Sequence, residues 1–188
     1  MVIVAVHYVT GGFSQIGPLL AVPVFMAVMG LVTLASSAII RTGWYPLRPL
    51  LLLETALLAG FLLLGVAFGR FADADSSIAI VAGMLGVSAM ATQNVLGRLA
   101  LKDAPSTAVM TTNITQLTVD LVTLVRSRGD ADELARARRR ARMTFPCIIG
   151  FIGGCATGAA LEVKFGLWAL TLPVVLSALA VPLGKVEE

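Results

Sequence analysis

Long uncharged runs dominate the chain. Pro18 to Ile40 holds 23 residues without a charge; as a helix such a run rises about 34 Å, more than a ~30 Å hydrocarbon core requires. It predicts a membrane span. Pro49 to Phe68, whose one charge is Glu54, and Ser77 to Gly97, with Gln93 and Asn94 near its end, repeat the pattern. Met143 to Leu161 and Phe165 to Leu183 complete it, joined by Glu162, Val163 and Lys164, a turn short enough to make them an antiparallel hairpin. The chain therefore reads as all-α, a polytopic transmembrane helix bundle with five spans.

One further segment breaks the pattern. Pro105 to Val125 is long enough to cross, yet it carries six Thr, Asn113, Gln116 and Asp120. Met110, Ile114, Leu117, Leu121 and Leu124 keep the spacing of one helical face, while Thr112, Gln116, Asp120 and Thr123 fall on another. It predicts an amphipathic helix that spans, lies tilted at the interface, or re-enters on the side it came from. A crossing would divide Lys and Arg nine against five, whereas a helix that returns divides them twelve against two, with only Arg70 and Lys164 opposite. The positive-inside rule favours the return. It sets the Arg-rich loop 126–142 in the cytoplasm and Asp73 and Asp75 outside.

Composition settles the class. Of 188 residues 57% are apolar and 13% charged, and the mean hydropathy is +0.91, more hydrocarbon than a soluble core can hide. Lipid must solvate it. The net charge of +3 and pI near 9.2 come from cations beside apolar runs, without the interleaved aromatics of a nucleic-acid surface. Cys147 and Cys155 lie on one helix, about 12 Å apart along its axis, out of reach of a disulfide. His7 is the only histidine, so metal sites and His-based catalysis have little to build on, and no cofactor is expected. The start, MVIVAVHYVTGG, lacks the basic n-region of a cleavable signal.

A weak internal repeat runs through this single membrane domain of residues 1–188. Tyr8 to Ile16 aligns with Val109 to Leu117, keeping a Thr and pairing Gln15 with Gln116; Pro23 to Ser36 aligns with Pro146 to Ala159, pairing Pro23 with Pro146 and Gly30 with Gly153. The half-repeats would be 1–70 and 77–184. Units of three crossings are inverted relative to each other, and substrate sites in such proteins sit where broken segments of the two halves meet.

Ala91-Thr-Gln93-Asn94-Val-Leu-Gly-Arg98, Val109-Met-Thr-Thr-Asn113-Ile-Thr-Gln116-Leu117 and Leu20-Ala-Val-Pro23-Val-Phe25 together resemble the YoaK-like family of bacterial membrane proteins, a domain of unknown function. The resemblance covers nearly the whole chain and implies an inner-membrane protein of about six helices with no assigned reaction. It also implies a complete first helix ahead of a Val-Thr-Gly-Asn-Phe motif. Here Val9-Thr10-Gly11-Gly12-Phe13 comes almost at once, with Gly12 in place of the Asn, so a shortened first half is expected.

Two function classes follow. In the first, a small transporter or channel, Gln93, Asn94, Thr112, Asn113, Gln116 and Asp120 line a site for a small polar solute, and Glu54, about 9 Å of helix rise beyond Arg48, couples protons. The plainer reading of the same acids is local pairing, Glu54 with Arg48 and Asp120 with Arg126. In the second, a noncatalytic membrane protein assembles with partners or with itself through Gly150, Gly154 and Gly158, whose spacing lets another helix approach closely, and the polar groups only join helices. No nucleophile with a base and no phosphate-cradling loop suggests an enzyme.

Overall fold

The computed structural model describes residues 16–68, 76–100, 110–126 and 130–184. The motif at Val9 to Phe13, His7, and the loop acids Asp73 and Asp75 lie outside them, as do Tyr8 to Gln15 of the repeat alignment. Among the described residues all regular structure is helical: α1 (Ile16–Arg41), α2 (Leu47–Ala67), α3 (Ser77–Ala100), α4 (Met110–Arg126), α5 (Ala131–Phe165) and α6 (Thr171–Ala180), with 3-10 turns at Gly166–Leu170 and Val181–Gly184. The chain divides into two compact units, one of Met1–Ala100 with Phe165–Glu188, the other of Leu101–Lys164. Each is described by itself.

The first unit is built around α2. Val32 of α1, Leu50 of α2, and Val95 and Leu96 of α3 form its buried cluster, with Leu47 and Leu99 packed against it, so the end of α3 lies beside the start of α2. Farther along, two glycines bring α2 and α3 together. A Cβ at Gly60 would stand 3.2 Å from Leu85, and one at Gly86 would stand 3.3 Å from the Phe61 ring. Side chains there would hold the helices apart.

The chain beyond α5 runs antiparallel along the other side of α2. Leu167 packs on Gly65, Thr55 Oγ1 hydrogen-bonds Ser177 Oγ at 2.8 Å, and a Cβ at Gly184 would stand 3.0 Å from Leu51. The segment thus tracks α2 from one end to the other. Trp44 and Tyr45, exposed just before α2, and Trp168, exposed level with its far end, stand where interfacial aromatics belong.

Four helical stretches are long and apolar enough to cross a membrane: Gly17–Arg41, Leu47–Ala67, Ser77–Ala100, and one continuous run, Ala131–Ala180. The sequence pattern implied five. The difference lies at the expected turn Glu162 to Lys164, which is helical; the break falls at Gly166, whose φ of 56° is a left-handed conformation that glycine adopts freely. The ten residues of α6 rise only about 15 Å and do not qualify alone.

In the second unit α5 is a single helix of 35 residues whose first turns are the Arg-rich stretch. Asp132 and Glu133 in its first turn oppose the helix dipole favourably. From Ile149 to Ala160 every residue is exposed.

Candidate functional site: two buried carboxylates

Polar side chains inside an apolar helix need partners, and most of those here find one on their own helix. Ser36 Oγ donates to Val32 O at 2.6 Å, Thr92 Oγ1 to Ser88 O at 2.9 Å, and Asn94 Nδ2 to Met90 O at 2.8 Å. Thr115, Thr118 and Thr123 of α4 each bond back four residues at 2.9 Å. Such bonds satisfy a hydroxyl wherever the helix sits. A Thr-rich helix is thereby made compatible with lipid.

Glu54 differs. It is 7% exposed, on the face of α2 that also carries the buried Leu50 and Gly65, and among the described residues it makes no ion pair and no hydrogen bond. The expected local pair with Arg48, which is exposed, is not formed. The contacts of Leu50 with Val95 and Leu96, and of Phe61 with Gly86, fix an antiparallel register that sets Glu54 level with the fully buried Ala91 and Thr92 of α3. Gln93, the neighbouring residue of the predicted site, is exposed, and Asn94 half-buried. Thr55 and Ser177, joined across α2 and α6 close by, were not foreseen; small hydroxyls in runs otherwise of Leu, Val and Ala are the signal that marks them.

The second carboxylate, Asp120 of α4, is fully buried and heavily bonded. Its Oδ1 accepts from Arg140 Nη2 at 2.6 Å and from Gln116 Nε2 at 3.0 Å, and Arg140 Nε lies 3.2 Å from both carboxylate oxygens. The paired acid is enclosed while the Arg140 side chain stays 48% exposed. The partner is thus Arg140 across the helical hairpin, not Arg126 on the same helix. The sequence left Arg140 undistinguished among the arginines of its loop.

This pairing turns α4 differently from the expected wheel. Met110, Asn113, Leu117, Asp120 and Leu124 point inward, while Ile114, Leu121 and Thr112 are exposed, and Gln116 is exposed except for its reach to Asp120. The predicted apolar face is therefore split. On α5, Ala137, Ala141, Thr144 and Ile148 form the buried stripe, with Arg140 on its flank. The predicted site residues fall in two groups, Gln93 and Asn94 in the first unit, Thr112, Asn113, Gln116 and Asp120 in the second. Gly150, Gly154 and Gly158 have nothing within 4 Å of an added Cβ, and Cys147 and Cys155 are free thiols.

Long apolar helices with lipid-facing Leu, Val and Ile, aromatics at both ends of α2 and buried ionisable groups define a helical membrane protein. The family profile described as protein of unknown function (DUF1275) matches residues 1–183, and the chain belongs to that family. Neither a search of curated proteins nor one of solved structures found a match.

Proposed function

We propose that this protein is a small, noncatalytic transporter of the inner membrane that moves a small polar solute, with Glu54 as its proton-carrying group. The observation that carries the reading is a buried carboxylate with no ion pair among the described residues: an acid placed in a membrane helix costs about 3 kcal/mol, and one without a cation beside it marks a pathway more often than a packing device. Gln93 and Asn94, one turn or less from the Glu54 level on α3, are uncharged groups offered to the solute in the first unit; Thr112, Asn113, Gln116 and Asp120 of α4 belong to the second unit, and their part in solute binding is a separate proposal. The likeness to YoaK-like proteins belongs to this reading.

The topology we infer has five crossings and one partly inserted helix. The end of α3 lies at the start of α2, whereas Leu167 lies at its far end, so the chain between them crosses an odd number of times. The apolar part of α5 supplies one crossing, and α4, 17 residues long and Thr-rich, supplies none. The segment 166–184 then returns along α2 as the fifth. This parity agrees with the charge count, with the Arg-rich stretch 126–142 cytoplasmic. Cysteines introduced at Lys102 and Arg128 test it: labelling from one side supports the topology, and labelling from opposite sides overturns it.

Function is tested in proteoliposomes with a solute panel and an internal pH dye. A solute whose entry moves protons in the parent, and does so at least tenfold less in Glu54→Gln of equal abundance, supports the reading; equal proton movement in both sinks it. A second reading, assembly through Gly150, Gly154 and Gly158, is favoured by the bareness of that face from Ile149 to Ala160. Crosslinking through Cys155 in vesicles, lost in Gly154→Leu, would support it.

A further inference from the structure

The Arg-rich start of α5 is continuous with its apolar part, and that continuity fixes the depth of each arginine. If Met143 to Phe165, about 34 Å of helix, fills the hydrocarbon, then Arg142 stands at its boundary and Arg138 about 6 Å beyond. Headgroups occupy roughly 5–8 Å on each side of the core. Arg138, Arg139 and Arg142 therefore lie within the headgroup layer. All three are exposed, and the helical wheel puts them away from the buried stripe Ala137, Ala141, Thr144 and Ile148.

Arg140 is different, because Asp120 neutralises it and turns it toward α4. The acids at this end of the helix, Asp132 and Glu133, sit in its first turn, more than one turn beyond Arg138, and Glu162 lies at the opposite end. Nothing on the outer face thus offsets the other three cations at headgroup depth, and no aromatic side chain stands among them to stack on a base. We propose that Arg138, Arg139 and Arg142 form a binding surface for the anionic phospholipid headgroups of the leaflet from which α5 emerges. Guanidinium groups suit it, since each can fork two hydrogen bonds to one phosphate. The Asp120–Arg140 pair meanwhile anchors α4 at the same depth, leaving the outer arginines free for lipid.

The test uses the full chain in vesicles of phosphatidylcholine doped with spin-labelled phosphatidylglycerol or spin-labelled phosphatidylcholine, reading the share of each lipid immobilised by protein. At about fivefold per arginine near a charged surface before screening, a preference for phosphatidylglycerol of at least threefold is expected in the parent. It should fall toward one in the triple variant Arg138→Gln, Arg139→Gln, Arg142→Gln, and weaken in high salt. The triple Lys variant keeps most of the preference and serves if the Gln variant does not fold. Equal immobilisation of both lipids by the parent, or an undiminished preference in a folded Gln variant, overturns the proposal. So does binding of a short RNA in neutral detergent that phosphatidylglycerol cannot displace, which would assign the surface to nucleic acid.

Discussion

Glu54 and Asp120 are both acids buried between helices, and they differ in company. Asp120 has a guanidinium and an amide on its oxygens, close enough to hold α4 to α5; Glu54, level with Ala91 and Thr92, has no ion pair among the described residues. An enclosed acid with a well-placed cation is a fastening, since removing one partner strands the other. An enclosed acid without one gains nothing for the fold. Under the transport reading proposed above, that acid is the proton carrier.

The largest expected effects set these two acids against each other. Glu54→Leu, which relieves the unpaired carboxyl, should leave the melting temperature in detergent unchanged or higher while abolishing proton-coupled flux. A fall of several degrees would show instead that Glu54 is a packing group with a partner. Arg140→Ala should act in the opposite sense, lowering the melting temperature by several degrees because Asp120 stays enclosed without its cation. Asp120→Ala should cost less, since the freed guanidinium, already half exposed, finds water. Equal losses in the two variants would show that stranding Asp120 carries no added cost over stranding Arg140, and the contrast with Glu54 would lapse.

The first unit was the more legible of the two. Span length and the absence of charge located α1, α2 and α3 within a few residues, because a hydrocarbon slab imposes a length that any apolar run must meet. Lys164 and Glu162 misled, since charges near the end of a long helix can extend to the interface without ending it, and the actual break depends on the left-handed backbone of Gly166. The periodicity of α4 carries its amphipathic character but not its orientation. Wheel arguments set Thr112 with Asp120, whereas the tertiary pair with Arg140 draws Asp120 inward beside Met110, Leu117 and Leu124. A contact made across a hairpin, with one arginine chosen among several, leaves no local signal.

Smaller effects sharpen the difference between the packed unit and the bare length of α5. Gly86→Leu forces a side chain against the Phe61 ring, already 3.3 Å from where its Cβ would lie, and should cost about 1–3 kcal/mol in reversible unfolding from detergent. Thr55→Ala removes the side-chain bond from α2 to Ser177 of α6 and should cost about 0.6 kcal/mol, the mean for such bonds in membranes.

Gly154→Ala should be the mildest. An added Cβ there meets nothing within 4 Å, so a monomer in dilute detergent should change by no more than about 0.5 kcal/mol, and replacing a helical glycine offsets even that. In vesicles the same substitution discriminates. If the face meets only lipid, the methyl group is harmless at every protein density; if a second helix packs there, a denser reconstitution should reveal weaker crosslinking through Cys155. A stability loss in the dilute monomer would contradict the bareness of this face and remove the contrast between α2, packed along its length, and α5.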